Sequence, residues 1–391
     1  MKILIATDSY KFNTGGITAS VLALCSGLRK KGHEVKVLSP SSSHKSFRDG
    51  DDYFIKSVPA FYYPGMRIAF SLHDPLIKEL EAWCPDVIHV QTEGAAFLIS
   101  KIIMKCCDAP IVMTCHTDYA HFVFGRLRSF PLIKAFMRGV GKTLYRKAAK
   151  VIAPSQKAGN FAFLQSIKER MAVIPNGIEL EKYQKTLSLP EKQALRKSLG
   201  IDDRTKVIVS ISRLSNEKNI RELIAFFPLL LKKMPDVKLL IVGDGPDRSH
   251  LERQAEKLNI TDNIIFAGRV PASDVWRYYN ISDIFVSAST FEVHSMSYLE
   301  ALAQGLPLLC RADDALIGVL EHGCNGMIYH SQQEFSDFAY KILSDDEIRE
   351  SMRQKSLEKA ECFSSDAFAD SVMKIYKDAM REETVTDNEK K

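Results

Sequence analysis

Hydrophobic positions along the chain follow two alternating rhythms. Short β-branched runs fall at residues 2–7 (KILIAT), 34–39, 53–58, 86–91, 110–116, 150–155 and 171–176, and each reads as a strand. Between most of them lie stretches of helical length, such as ITASVLALCSGLRKKG, closed by Gly32 as a C-terminal glycine closes a helix. Strands alternating with helices predict a parallel sheet covered on both faces. From about Gly177 to Gly200 the pattern gives way to the charged stretch GIELEKYQKTLSLPEKQALRKSLG, which reads as a linker. A second series then starts, with strands expected at 207–212, 238–245, 264–269, 283–289 and 307–311. The expected division is residues 1–177, 178–364, a last helix over 365–381 that packs on either domain, and a disordered tail over 382–391. Two doubly wound α/β domains of this kind place a cleft between them, at the carboxyl ends of their strands.

Length agrees with that division, because 391 residues exceed what one core usually supports. With 46% hydrophobic and 26% charged residues, the composition is that of a well-packed soluble protein. The longest apolar run, IAFFPLLL at 224–231, falls far short of the roughly 18 residues that span a bilayer. The start, Lys2 followed by ILIA and Asp8, is not a secretory signal, so the expected address is the cytoplasm. Eight cysteines include no C-x-x-C and no Cys/His cluster at zinc spacing, so they read as reduced residues.

Charge adds a local feature. From Gly125 to Lys150 there are eight Lys/Arg and no acid, and taking these from the net +5 leaves about −3 for the rest of the chain. As a helix over 131–147, Lys134, Arg138, Lys142 and Arg146 share one face, while Ile133, Phe136, Met137, Val140 and Leu144 line another. Such a segment is either an ordinary surface helix or an amphipathic one drawn to anionic lipid. Gly139 and Gly141 weaken it as a helix.

Candidate chemistry gathers where strands turn into helices, since backbone N–H groups there attract anions. Gly15 and Gly16 open the first long helix, without the G-x-G-x-x-G spacing of a dinucleotide site. Arg213 and Lys218 follow the first strand of the second half and could neutralise a diphosphate. VGDGPD at 242–247 is a glycine turn into a helix. STFEVHSMSYLEALAQGLP sets Glu292 in a loop and Glu300 just inside a helix. Ser297-x-x-Glu300 has capping-box spacing, yet both carboxylates could instead accept hydrogen bonds from one polyhydroxylated ligand. DGD at 49–51 has the form of a metal-binding Asp-x-Asp but precedes a strand in the other half, so no metal site is expected.

Taken in order, TGGI, KKGHEVKVLS, PDVIHVQTE, TCHTDY, VIPNGIEL, SRLSNEKN, VGDGPD, FAGRV and EVHSMSYLEALAQGLP resemble the retaining nucleotide-sugar glycosyltransferases of the GT-B fold that carry a Glu-x7-Glu motif. The resemblance spans nearly the whole chain. It implies that Arg213 and Lys218 hold the donor diphosphate, that Gly15 and Gly16 let backbone approach it, and that Glu300 binds ribose. It further implies that Glu292 reads the sugar hydroxyls, that His116 faces the sugar near the reacting carbon, and that Gly243, Arg269, Val270, His294, Ser295 and Met296 complete the donor site. Where the family has a glycine- and aromatic-rich loop, this chain has Val293, His294 and Ser295, which puts the sugar's identity in doubt.

The patterning looks most like the branch that glucosylates diacylglycerol, with inositol-lipid mannosyltransferases close behind. That implies a metal-independent enzyme without cofactor, peripheral on the inner face of the cell membrane, using UDP-sugar and a lipid acceptor near Phe61, Tyr62 and Tyr119. The same chemistry on a soluble or polysaccharide acceptor stays open. A nicotinamide-dependent oxidoreductase and an inactive lipid-surface scaffold are the readings from other classes.

Overall fold

The structure is a computed structural model that describes residues 1–12, 15–60, 67–116, 143–161 and 163–388. The chain forms two compact units, Met1–Ile178 with Ser364–Lys391, and Glu179–Phe363.

In the first unit the strands are β1 (Lys2–Ala6), β2 (Glu34–Pro40), β3 (Phe47–Asp49), β4 (Asp52–Ile55), β5 (Ser57–Pro59), β6 (Arg67–Ala69), β7 (Val87–Val90), β8 (Ile111–Thr114), β9 (Lys150–Ala153) and β10 (Met171–Val173). Eight of them make one sheet in the order β10-β9-β8-β7-β1-β2-β4-β3, parallel throughout except for the β3–β4 hairpin. The sheet is buried on both faces, as parallel sheets are. Along β1, Leu4 and Ala6 enter one core with Ile88, Val90 and Ile103. Ile3 and Ile5 enter the other with Val21, Leu24 and Leu28 of the helix Gly16–Lys30.

That second core is closed by the last helix, Ser365–Asn388, through Phe368, Ala369, Val372, Met373 and Tyr376. The two helices approach so closely that a Cβ at Gly27 would lie 2.1 Å from the Ser365 carbonyl oxygen. The last helix therefore belongs to the first unit, and it extends past the Arg381 boundary expected from the sequence.

The second unit is a six-stranded parallel sheet, formed by β11 (Val207–Ile211), β12 (Lys238–Val242), β13 (Ile264–Gly268), β14 (Ile284–Ser287), β15 (Leu308–Arg311) and β16 (Gly326–Tyr329) in the order β13-β12-β11-β14-β15-β16. Ile208, Leu239, Ile241, Ile284 and Val286 face a core completed by helices such as Ile220–Leu231 and Gln332–Ser344.

Three features depart from the sequence reading. The expected linker carries helices Leu180–Tyr183 and Leu189–Ser198, and buries Leu187 and Arg196. Arg196 is fixed by donating to the carbonyls of Ile281, Asp202 and Thr205, so the stretch is part of the second unit. Strand β16 (GMIY) has only one β-branched residue, and β3 has all three positions exposed, so neither stands out as a strand. Strands β5 and β6 form a separate antiparallel pair that was not expected. DGD is the turn of the β3–β4 hairpin, with Asp49 ion-paired to Lys11 at 3.3 Å.

Sheet order places the ligand positions. In the second unit the chain runs outward from β11 through β12 and β13, then returns to lay β14 on the other side of β11. In the first unit the same reversal occurs between β1 and β7. Loops at the carboxyl ends of strands flanking such a reversal diverge and leave a crevice where ligands of these sheets bind.

Candidate active site

At the β11/β14 reversal stand Arg213 and Lys218, which follow β11, and Glu292, which follows β14. Arg213 is exposed. Lys218 ends the single turn Asn216–Lys218, held because Asn219 adopts the left-handed conformation (φ 50°) with its side-chain amide donating to Glu222. Ser215 donates to the Glu217 carboxylate and Ser289 to the Glu217 carbonyl, which ties this loop to the end of β14.

Lys218 and Glu292 form an ion pair at 2.5 Å, each largely sheltered from solvent. The sequence reading gave them separate ligand groups, diphosphate and sugar. The structure pairs them with each other, so each charge is held in place and partly desolvated at the reversal point.

Glu300 lies in the helix Met296–Ala303. The helix is capped at Ser295, not Ser297, so the suspected capping box does not form there. A capping box exists instead at Ser188 and Glu191, in the stretch read as a linker. The Glu300 carboxylate accepts from the hydroxyls of Tyr183 (3.0 Å) and Tyr279 (2.8 Å), one on each oxygen. Burial pushes its pKa up to about 7, against the pull of the two hydroxyls. The remaining lone pairs stay available to hydroxyl donors. These tyrosines were not legible as site residues: Tyr183 lies 117 positions from Glu300 along the chain, and no spacing links them.

Between the two carboxylates, His294, Ser295 and Met296 are buried, each between 7% and 8% exposed. Their backbone N–H groups at the helix start, rather than their side chains, suit a ligand. The His294 ring sits beside Phe363, with neither nitrogen hydrogen-bonded among the described residues. Burial lowers its pKa to about 4 despite the nearby Glu292 carboxylate, so it is neutral at pH 7.

Gly243 has φ 136°, and a Cβ there would fall 1.9 Å from the Ser212 carbonyl oxygen. This glycine is demanded by the packing of the β12 turn on the loop carrying Arg213, so its first effect on a donor is indirect. Arg269 is exposed and Val270 half-buried, just beyond β13.

In the first unit, Gly15 caps the helix Gly16–Lys30 in extended conformation (φ 172°), and a Cβ on it would meet no described atom within 4 Å. Neither strain nor packing by described residues requires glycine at that position. His116 follows β8, half-buried, with Nε2 2.7 Å from Oε1 of Gln91. Gln91, at the end of β7 and 2% exposed, is a residue that the sequence reading passed over.

At the β1/β7 reversal the N-terminus of the helix Ala95–Cys107 is already occupied. Asp8 accepts from the N–H groups of Gly94 and Ala96 and from the Thr92 hydroxyl. Arg146 is exposed, whereas Lys134, Arg138, Lys142, Phe61, Tyr62 and Tyr119 lie outside the described residues.

Comparison with known proteins accords with this geometry. Residues 14–182 match the family described as Glycosyltransferase Family 4, and residues 191–359 the one described as Glycosyl transferases group 1. An alpha-monoglucosyldiacylglycerol synthase of Streptococcus pneumoniae is 32% identical over 97% of this chain and 86% of its own length. An enzyme of the same name from Acholeplasma laidlawii is 28% identical over 97% of both chains. Among solved structures, Anabaena HepE in complex with UDP superposes with a TM-score of 0.72 at 22% identity, over 96% of this chain and 99% of its own. Two Rossmann-like units, a Lys–Glu pair at a sheet reversal and a second glutamate eight residues on are thus set in a sequence related along its length to known enzymes. The chain belongs to the group 1 glycosyltransferases and has the GT-B fold.

Proposed function

We propose that the protein transfers a hexose, glucose, from a UDP-sugar to the hydroxyl of a membrane lipid such as diacylglycerol, with retention and without a metal. The observation that carries this reading is the Lys218–Glu292 pair at the β11/β14 reversal, with Glu300 eight residues further on. The names of the two bacterial relatives support the choice of sugar and acceptor.

In this reading Arg213 and Lys218 bind the diphosphate, and Gly15 and Gly16 offer backbone N–H groups to it. Glu300 binds the ribose, Glu292 the sugar hydroxyls, and the Ser295 and Met296 N–H groups the same sugar. His116 binds the sugar near its anomeric carbon. The acceptor oxygen attacks C1 on the face from which the bond to phosphate breaks, and the acceptor proton passes to the departing phosphate oxygen. Charge growing on that oxygen is met by Arg213 and Lys218, the electrostatic assistance that often dominates such barriers.

Contact with lipid draws support from a surface that the sequence reading did not join to the basic stretch. On the helix Ala95–Cys107, Leu98 is 53% exposed, and Lys101 and Lys105 follow on the same face. The Lys101 ammonium is held below its usual pKa by Lys147 first and Lys105 after it. Like charges gathered beside an exposed leucine suit an anionic membrane. No helix among the described residues is long and apolar enough to cross one.

The test supplies radiolabelled UDP-glucose, UDP-galactose and GDP-mannose with vesicles containing diacylglycerol, and separately with soluble saccharides. Label entering a lipid with an α linkage by NMR, undiminished by EDTA, is the expected outcome. Label entering only soluble acceptors would favour the alternative, the same chemistry on a soluble or polysaccharide substrate. Lys218→Ala and Arg213→Ala should each lower kcat by about 10²- to 10³-fold with the fold intact, and near-wild-type turnover would remove them from the mechanism.

A further inference from the structure

Behind His116 lies a row of buried polar groups that the reaction does not use directly. Gln91 Oε1 lies 2.7 Å from His116 Nε2, and Gln91 Nε2 lies 3.1 Å from His89 Nε2. His89 Nδ1 is 2.7 Å from the Tyr376 hydroxyl, and its Nε2 is also 2.7 Å from the Thr114 hydroxyl. His89 and Tyr376 are wholly buried, and Gln91 and Thr114 nearly so. The row thus joins the ends of β7 and β8 to the last helix, some 287 positions from His89 in sequence.

The hydrogen bonds have a single consistent direction once the amide of Gln91 is placed. Its NH2 group can only donate, so His89 Nε2 accepts from it and the Thr114 hydroxyl must donate to the same nitrogen, and a neutral His89 then carries its proton on Nδ1 and donates to Tyr376. Burial lowers the His89 pKa to about 3, so the ring is neutral. The Gln91 carbonyl can only accept, so the His116 nitrogen facing it must bear hydrogen.

We propose that Gln91 is a positioning residue that fixes His116 as its Nε2–H tautomer, and that Tyr376 and His89 anchor Gln91 from behind. The importance of this for turnover rests on His116 binding the transferred sugar, as proposed above. A ring of fixed tautomer meets the sugar with one defined pattern of donor and acceptor. It also makes the last helix part of the device that sets His116.

The test combines spectroscopy with a double-mutant cycle. In 15N-histidine-labelled protein at pH 8, His116 assigned by its loss in His116→Ala should show protonated Nε2 and bare Nδ1. In Gln91→Leu that signature should relax to a mixture of tautomers. With UDP-glucose and diacylglycerol vesicles, Gln91→Leu should lower kcat about 10- to 100-fold, the scale of a misplaced reacting group. UDP affinity should stay within about twofold, and the loss should vanish in the His116→Ala background.

Tyr376→Phe, which removes one oxygen, should shift the His89 signals and lower kcat several-fold, again only when His116 is present. It decides the matter if Gln91→Leu does not fold. A wild-type His116 protonated on Nδ1, or losses that add to that of His116→Ala, would overturn the inference. Absence of transfer from any nucleotide sugar by the wild type would instead defeat the proposed function, leaving the tautomer result to stand by itself.

Discussion

Glu300 illustrates how one side chain serves two masters. Two tyrosine hydroxyls fix its carboxylate, and burial lifts its pKa to about 7. A protonated carboxyl is a poorer acceptor for ribose hydroxyls, so UDP affinity should rise as pH passes upward through 7. Titration calorimetry with UDP between pH 6 and 8 should show that step, and Glu300→Gln should abolish it while weakening binding. The stability sign is opposite: with its folded pKa above the unfolded value of 4.5, Glu300 stabilises fully below about pH 4.5, and that contribution is lost as pH rises through about 7. Glu292 makes a second prediction. Because it engages Lys218, Glu292→Gln should free that ammonium for phosphate and tighten UDP binding about threefold, yet lower kcat by about 10²-fold. Weaker UDP binding in this variant would mean that the pair does not compete with diphosphate.

At the scale of elements, the close approach of the helices Gly16–Lys30 and Ser365–Asn388 depends on Gly27. Gly27→Val would drive a side chain into the Ser365 carbonyl, and overpacking of this kind costs about 1–3 kcal/mol. A fall of several degrees in Tm is expected, together with faster proteolysis of the last helix. An unchanged Tm would mean that the helices part without cost. Most strands were legible because they are short, β-branched and bounded by turn residues, whereas β3, β6 and β16 were not read. The expected linker was misread for a physical reason: its helices are amphipathic only against the second unit, and Arg196 reads as solvent-facing until its carbonyl partners are known. The spacing S-x-x-E occurs at both Ser188 and Ser297, but only the first is a capping box. At the second, the helix starts two residues earlier, at Ser295, and the Glu300 carboxylate is held by the hydroxyls of Tyr183 and Tyr279.

For the whole molecule, membrane contact is the property that reaches furthest. Replacing Lys101, Lys105 and Lys147 with serine should reduce flotation on phosphatidylglycerol vesicles at low salt, with each lysine worth about 1 kcal/mol near such a surface. UDP affinity should be spared, because none of these three lysines is among the residues proposed to bind the donor. High salt should remove the difference. Flotation equal to wild type would retire this surface, and the same substitutions at Lys134, Arg138 and Lys142 would then test the basic stretch alone.

By itself, the order of apolar runs determined two doubly wound halves, and strand ends marked Arg213, Lys218, Glu292 and Glu300, because these depend on local period and on turns that local chemistry dictates, while His116 was added by the family resemblance. Tertiary structure alone decided which of them touch. The Lys218–Glu292 pair, the tyrosines on Glu300 and the row from His116 through Gln91 and His89 to Tyr376 join positions between 25 and 287 residues apart for all but the nearest links. Such contacts follow from strand order and helix docking, which no window of sequence contains.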